Sequence, residues 1–241
     1  MKKNLLYTFL LALALSVSSC LDKYPENAIL ADDAITTIDE ADQAVIGIYS
    51  SFLSGALYSG YLTLLPDIQT DLVYAVNGYT NTYGDIWRWN DILATNSQIE
   101  SVYAALYTVI GRCNFLLDNA ENMRKKMTDD DALDRLDVYC GEACFARALA
   151  YSELIKQFCK AYESDADAQN ELGVVLRTHY YSDEPIKRAS LYNSYQQVLS
   201  DLELAEKALA LGDDYDIAVD GYMYNSTYFN EYTVCALRAR I

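Results

Sequence analysis

Residues 128–158 read TDDDALDRLDVYCGEACFARALAYSELIKQF, and the fold follows from this stretch. Thr128-Asp129-Asp130-Asp131 has the character of a helix start, with carboxylates where the positive end of the helix dipole lies. Leu133, Leu136, Cys140, Ala143, Phe145, Leu149, Leu154 and Phe158 follow, mostly at three- and four-residue spacing. That period predicts one long amphipathic helix.

The same pattern extends on both sides. Upstream, Ser97-Gln98-Ile99-Glu100 matches a capping box. Ile99, Val102, Tyr103, Leu106, Ile110, Cys113 and Leu117 supply its apolar face. Earlier still, Thr37-Ile38-Asp39-Glu40 is a second capping box, followed by Ala41, Ala44, Val45, Ile48 and Phe52, with Gly55 and Gly60 ending the helix. Downstream, a helix starts near Ser190 and carries Leu191, Tyr195, Val198, Leu199, Leu202, Ala205 and Leu209, with Gly212 at its expected cap. Another starts near Asn230 and runs to Ile241 without a cap or a breaker. Long helices joined by short turns resemble tetratricopeptide-type helix pairs, here the second with the third and the fourth with the fifth. The expected fold is all-α dominated: tetratricopeptide-like helix pairs with loop-rich, aromatic insertions. The uncapped final helix is read as the front part of a longer protein.

Composition narrows the function. The 241 residues include 18 Lys+Arg and 35 Asp+Glu, a formal net charge of −17, which argues against a nucleic-acid partner. Hydrophobic residues make up 52 %, too many for a disordered chain. Tyr is the outlier at 22, against 6 Phe and 2 Trp. A polar-tipped aromatic used this often fits either a wet binding surface or a Tyr-rich helical core.

The N-terminus fixes the compartment. Lys2 and Lys3 precede an apolar run from Leu5 to Leu15, then Ser16-Val17-Ser18-Ser19-Cys20. The run is too short to span a bilayer and reads as a secretory signal. The small residues before Cys20 resemble a bacterial lipobox, in which Cys20 is acylated and becomes the new N-terminus, tethered to a membrane by lipid alone. The expected organisation is a signal peptide over 1–19, a lipidated tether over 20–36 and a helical domain over 37–241. Five cysteines remain beyond Cys20, an odd number that does not suggest a disulfide framework. Of Cys113, Cys140, Cys144, Cys159 and Cys235, the pair Cys140 and Cys144 stands one helical turn apart, which could seed a metal site or a disulfide; the better reading is free thiols packed as small buried apolar groups.

Five ordered segments then carry a family resemblance. Gly141-Glu142-Ala143-Cys144-Phe145-Ala146-Arg147-Ala148-Leu149-Ala150-Tyr151 is similar to a G-E-A-x-F-x-R-A-x-x-Y helix. Tyr103 to Tyr107 with Arg112-Cys113-Asn114 is similar to a W-x-x-L-Y…R-x-N segment, with Tyr103 in place of Trp. Leu172-Gly173-Val174-Val175-Leu176, Arg188-Ala189-Ser190 through Asp201-Leu202, and Thr233 to Ile241 follow in the expected order. The chain resembles the N-terminal portion of the SusD/RagB family of Bacteroidetes outer-membrane lipoproteins. The resemblance implies a cell-surface lipoprotein that captures oligosaccharide, or in some relatives peptide, for a TonB-dependent SusC-like transporter. It implies no enzymatic activity and no cofactor. Read physically, the motif residues are architectural, placing small and aromatic side chains on buried helix faces.

A sugar binder needs flat aromatic faces with amides or charges beside them. The segment between Gly55 and Asn96 holds both tryptophans among Asn and Gly, and nominates Tyr79, Asn81, Tyr83, Trp87, Trp89 and Asn90 as ligand-binding residues. Asp85 to Trp89 alternates as a short strand does, which puts Trp87 and Trp89 on one face. That face can either cover the core or meet a ligand. A second aromatic segment, Tyr215 to Tyr232, joins two paired helices and is read as packing. Its Asp213, Asp214, Asp216 and Asp220 lack the spacing of a calcium loop. His179 is the only histidine, beside Tyr180 and Tyr181 with no motif around it. No nucleophile elbow, phosphate loop or zinc motif is present, so neither catalytic residues nor a metal site are expected. The rival reading is a tetratricopeptide-like scaffold lipoprotein that binds peptides or proteins.

Overall fold

A computed structural model of the chain describes residues 34–70, 72–76, 83–90, 92–183, 185–210 and 228–241. The signal, Cys20, Gly212 and the acidic cluster 213–220 lie outside them. Among the described residues the architecture is helical: α1 Ile38–Phe52, α2 Tyr61–Gln69, α3 Gly84–Trp87, α4 Ser97–Lys126, α5 Asp130–Phe158, α6 Asp165–Asn170, α7 Leu191–Leu209 and α8 Glu231–Arg238. The one extended pairing described is an isolated antiparallel bridge between Leu172 and Ser190.

The helix starts follow capping chemistry. At α1 the Glu40 amide donates to Thr37 Oγ1 while Glu40 Oε2 accepts from the Thr37 amide, so two orphan donors are satisfied reciprocally. Ser190 caps α7 and Asn230 caps α8, as the sequence predicts. One start shifts by one residue. Asn96, not Ser97, caps α4, because its Oδ1 accepts from both Gln98 and Ile99 amides. Asp129 caps α5, within the start that Thr128-Asp129-Asp130-Asp131 marks. α8 ends at Arg238, where the Ala239 amide bonds back to Cys235 and Leu237, rather than running to Ile241.

α5 is the centre of the bundle. It is buried on nearly all sides from Val138 to Ala148, as a helix must be when it is packed all round. α4, α7 and α1 pack against it, and α8 packs on α7. Gly141 marks the closest approach: an added Cβ would lie 2.7 Å from Ala208 Cβ on α7. The end of the segment read as a tether joins the core, for Ile35 is buried and its amide donates to Asn119 Oδ1 (3.2 Å).

The helices are locked by buried polar bonds between motif residues. Arg147 on α5 donates Nε and Nη2 to the two carboxylate oxygens of Asp201 on α7, at 2.8 and 2.6 Å. Its Nη1 donates to Asn114 Oδ1 on α4 (2.7 Å). Asn114 Nδ2 in turn donates to the carbonyls of Arg177 and His179. The segment 172–182 is thereby strapped across the helices. Two tyrosine hydroxyls fasten it further: Tyr107 exchanges hydrogen bonds with the Val175 backbone and Tyr151 with the Arg177 backbone. Part of the Tyr excess therefore serves as buried rings whose polar tips hold a loop.

Glu142 is a buried carboxyl of the core. Burial pushes it up to about 8, against a hydrogen bond from Tyr49, and the negative charge of Asp42 adds to the rise. A carboxyl raised in the folded state stabilises the fold fully below its ordinary value of 4.5, and that contribution is lost as pH rises through about 8. Relative to Glu142→Gln, the native protein is expected to lose stability between about pH 5 and 8, at up to about 1.4 kcal/mol per pH unit. Thermal melts of both proteins across that range check it; parallel curves contradict it.

Candidate functional site

α2 and α3 build the site. Among the described residues 85–89, the backbone does not form the strand that alternation suggests. The Trp87 amide bonds to the Tyr83 carbonyl (2.9 Å) and the Arg88 amide to Gly84 (3.0 Å), which makes a single helical turn. The turn is closed by the Trp89 amide on Ile86 (3.1 Å) and the Asn90 amide on Asp85 (2.8 Å). These are the two bonds of a Schellman helix end, in which the residue after the cap is left-handed.

That left-handed position is held by Trp89, at φ 53°, the one non-glycine residue with positive φ among those described. Gly is the usual occupant, since a Cβ there costs roughly 1–2 kcal/mol. The consequence is a separation of the two tryptophans. Trp87 is half-buried against the core, while Trp89 is 65 % exposed. The Trp89 indole is fixed at its polar edge, where Nε1 donates to the carbonyl of Gln69 (3.1 Å). That carbonyl is in the last turn of α2 and has no partner within the helix, so the indole satisfies an orphan acceptor. The ring is anchored by its edge and presents its apolar surface.

Around it, Asn90 is exposed, and Asp85 and Arg88 form an exposed ion pair (3.5 Å). Tyr83 is partly buried, edge-on to Tyr61 with ring centroids 6.4 Å apart. Leu72, Val73, Tyr74 and Val76 follow α2 and are all exposed. Of the six nominated ligand residues, Trp89 and Asn90 stand together at the surface. Tyr83 and Trp87 lie against the core, and Tyr79 and Asn81 fall outside the described residues. A fixed, exposed indole can stack on an apolar ring face, and an exposed asparagine next to it in the chain offers an amide of the kind that hydrogen-bonds a hydroxyl rim. Sequence reasoning did not find Gln69, because a backbone carbonyl carries no residue-type signal.

Of the second aromatic segment, Phe229 packs against the core as expected, whereas Tyr228 and Tyr232 are exposed. Phe229 stacks on Tyr49 (4.6 Å) and touches Phe145 (4.4 Å), and its amide donates to Tyr49 Oη (2.7 Å). Cys113, Cys140 and Cys144 are buried free thiols, and burial pushes Cys144 up to about 12, away from reactivity. Among the described residues no group of His, Cys, Asp and Glu is arranged to hold a metal ion, and no helix is long and apolar enough to cross a membrane.

Comparison with known proteins gives a consistent picture. A SusD-like family, described as starch-binding and associating with the outer membrane, matches residues 21–228. The fold is similar to that of a SusD homolog from Bacteroides thetaiotaomicron, at a TM-score of 0.67 and 24 % identity, covering 87 % of this chain and 36 % of that one. A SusD superfamily protein from the same organism gives 0.66 and 23 %, covering 85 % and 42 %. A SusD-like carbohydrate-binding protein from Bacteroides vulgatus gives 0.59 and 18 %, covering 86 % and 41 %. The chain thus spans about two fifths of the length of these structures. No curated protein matches it.

Proposed function

The chain belongs to the SusD-like family, and on that footing we propose that it is the glycan-capturing lipoprotein of an outer-membrane import system. Cys20 carries the lipid anchor, the helical domain faces the cell exterior, and bound oligosaccharide passes to a TonB-dependent SusC-like transporter. The role is binding, not catalysis. The observation that carries this reading is Trp89. Its indole is held in a strained backbone conformation and pinned by Gln69, yet its face is left open to solvent. Strain kept at an exposed aromatic is an expense that packing alone does not explain.

The test is oligosaccharide binding by the full-length, lipid-free protein, measured calorimetrically with starch-derived chains. Trp89→Ala is expected to weaken binding by roughly tenfold to a hundredfold, the scale of one lost aromatic stack. Its helicity is expected to stay unchanged, because the side chain lies outside the core. Trp89→Ala binding as tightly as the parent contradicts the site, and selective binding of peptides by the parent favours the scaffold reading.

A further inference from the structure

A concave site lies over Asn114. It is a cleft of about 250 Å³ between α4 and the strap, lined by Tyr107, Arg177, His179, Tyr180 and Tyr181 among others. Its floor is rigid: Asn114 is fully engaged beneath it by Arg147 and by the Arg177 and His179 carbonyls. Its wall is an aromatic ladder. Tyr180 sits edge-on between Phe115 (5.0 Å) and Tyr181 (4.7 Å), and both tyrosines keep substantial exposure.

Asp118 builds this wall. One carboxylate oxygen meets His179 Nδ1 (2.9 Å) and the other accepts the Tyr180 amide (2.8 Å). Both oxygens are thus committed to the protein. Arg177 is different. Its Nη1 donates to the Ser182 carbonyl (3.3 Å), and its other guanidinium N–H groups meet no acceptor among the described residues. Apart from Asp118, whose two oxygens are taken up behind His179 and Tyr180, no described carboxylate lines the cleft. A guanidinium with spare donors favours a carboxylate, which it can hold through two parallel bonds. Flat tyrosine rings favour an apolar ring face.

We propose that this cleft is a second ligand site, and that it takes a sugar ring bearing a carboxylate, a uronic acid unit stacked near Tyr180 and Tyr181 with its carboxylate on Arg177. The proposal does not depend on the Trp89 site, because the two sites stand on different elements and are tested by different variants.

The experiment titrates full-length, lipid-free protein with trigalacturonate and, separately, with maltotriose. Trigalacturonate is expected to bind saturably and at least tenfold more tightly than maltotriose at this cleft, read from the resonances of Tyr180 and Tyr181. Arg177→Gln is expected to weaken trigalacturonate at least tenfold, and Arg177→Lys, which keeps the charge but not the two parallel bonds, to weaken it less than Arg177→Gln does. Tyr181→Ala, at a side chain exposed enough to leave the fold intact, is expected to weaken it several-fold. Absence of trigalacturonate binding, equal binding of maltotriose at the cleft, or wild-type affinity in Arg177→Gln each overturns the proposal.

Discussion

Arg147→Ala is expected to cost the fold about 3–5 kcal/mol, the range for stripping one partner from a buried ion pair. For a domain of this size that lowers the unfolding midpoint by roughly 10 °C. The reason lies in what remains behind. The Asp201 side chain is only 1 % exposed, and Arg147 supplies both of its charged hydrogen bonds, leaving it with Gln197 alone. Asn114 loses a charged donor at the same time, and with it the strap loses part of its hold on α4. A buried pair is costly to break but need not be costly to replace. The double variant Arg147→Met with Asp201→Leu is therefore expected to recover much of the loss. Denaturant unfolding of the single and double variants checks both points, and a near-neutral Arg147→Ala contradicts the network's role.

Gly173→Ala is the second large effect. Gly173 belongs to the strap where it pairs with the start of α7: its amide bonds to Ala189 (2.8 Å) and the Ala189 amide to Val174 (2.8 Å). An added Cβ would stand 2.5 Å from the Ser190 carbonyl oxygen and closer still to Ser194 Oγ. The serine hydroxyl cannot simply turn away, since it accepts from the Val174 amide and donates to the Ser190 carbonyl. The backbone must move, breaking the bridge and disturbing the cap of α7. A cost of at least about 2 kcal/mol follows from the overpacking, with faster amide exchange expected along residues 172–178. A stable Gly173→Ala with unchanged exchange contradicts this close packing.

The local rules of helix formation were legible in the sequence, and the long-range polar bonds were not. Thr37 with Glu40, Ser190 and Asn230 mark helix starts because a cap is a contact within one turn. Ser97 misled by one position because Asn96, an equally good acceptor, stands before it. Arg147 and Asp201 are 54 positions apart, and nothing in either helix's apolar period marks them as partners. The reading of the motif residues as architectural holds at Gly141, Phe145 and Tyr151, which are buried. Part of the reason is polar: Tyr151 is there for its hydroxyl as well as its ring. At the candidate site, Asp85 to Trp89 shows how short alternation deceives. Five residues satisfy a period of two by chance, and the structure satisfies their amides with a helical turn instead. The left-handed Trp89 runs against propensity, and such conflicts tend to sit where function demands them. His179 carried no motif, since its cleft is assembled from α4 and a strap more than sixty residues later.

The most direct test uses Trp89 itself as the probe. Trp87→Phe leaves Trp89 as the single indole of the chain. Titrating this variant with the oligosaccharide bound by the parent protein, followed by indole fluorescence, reports on that ring alone. Stacking against a sugar removes water from the indole face, so its emission is expected to shift to the blue and its quenching by acrylamide to fall, both saturating with the calorimetric affinity. Oligosaccharide binding that leaves the emission and quenching of Trp89 unchanged contradicts the account.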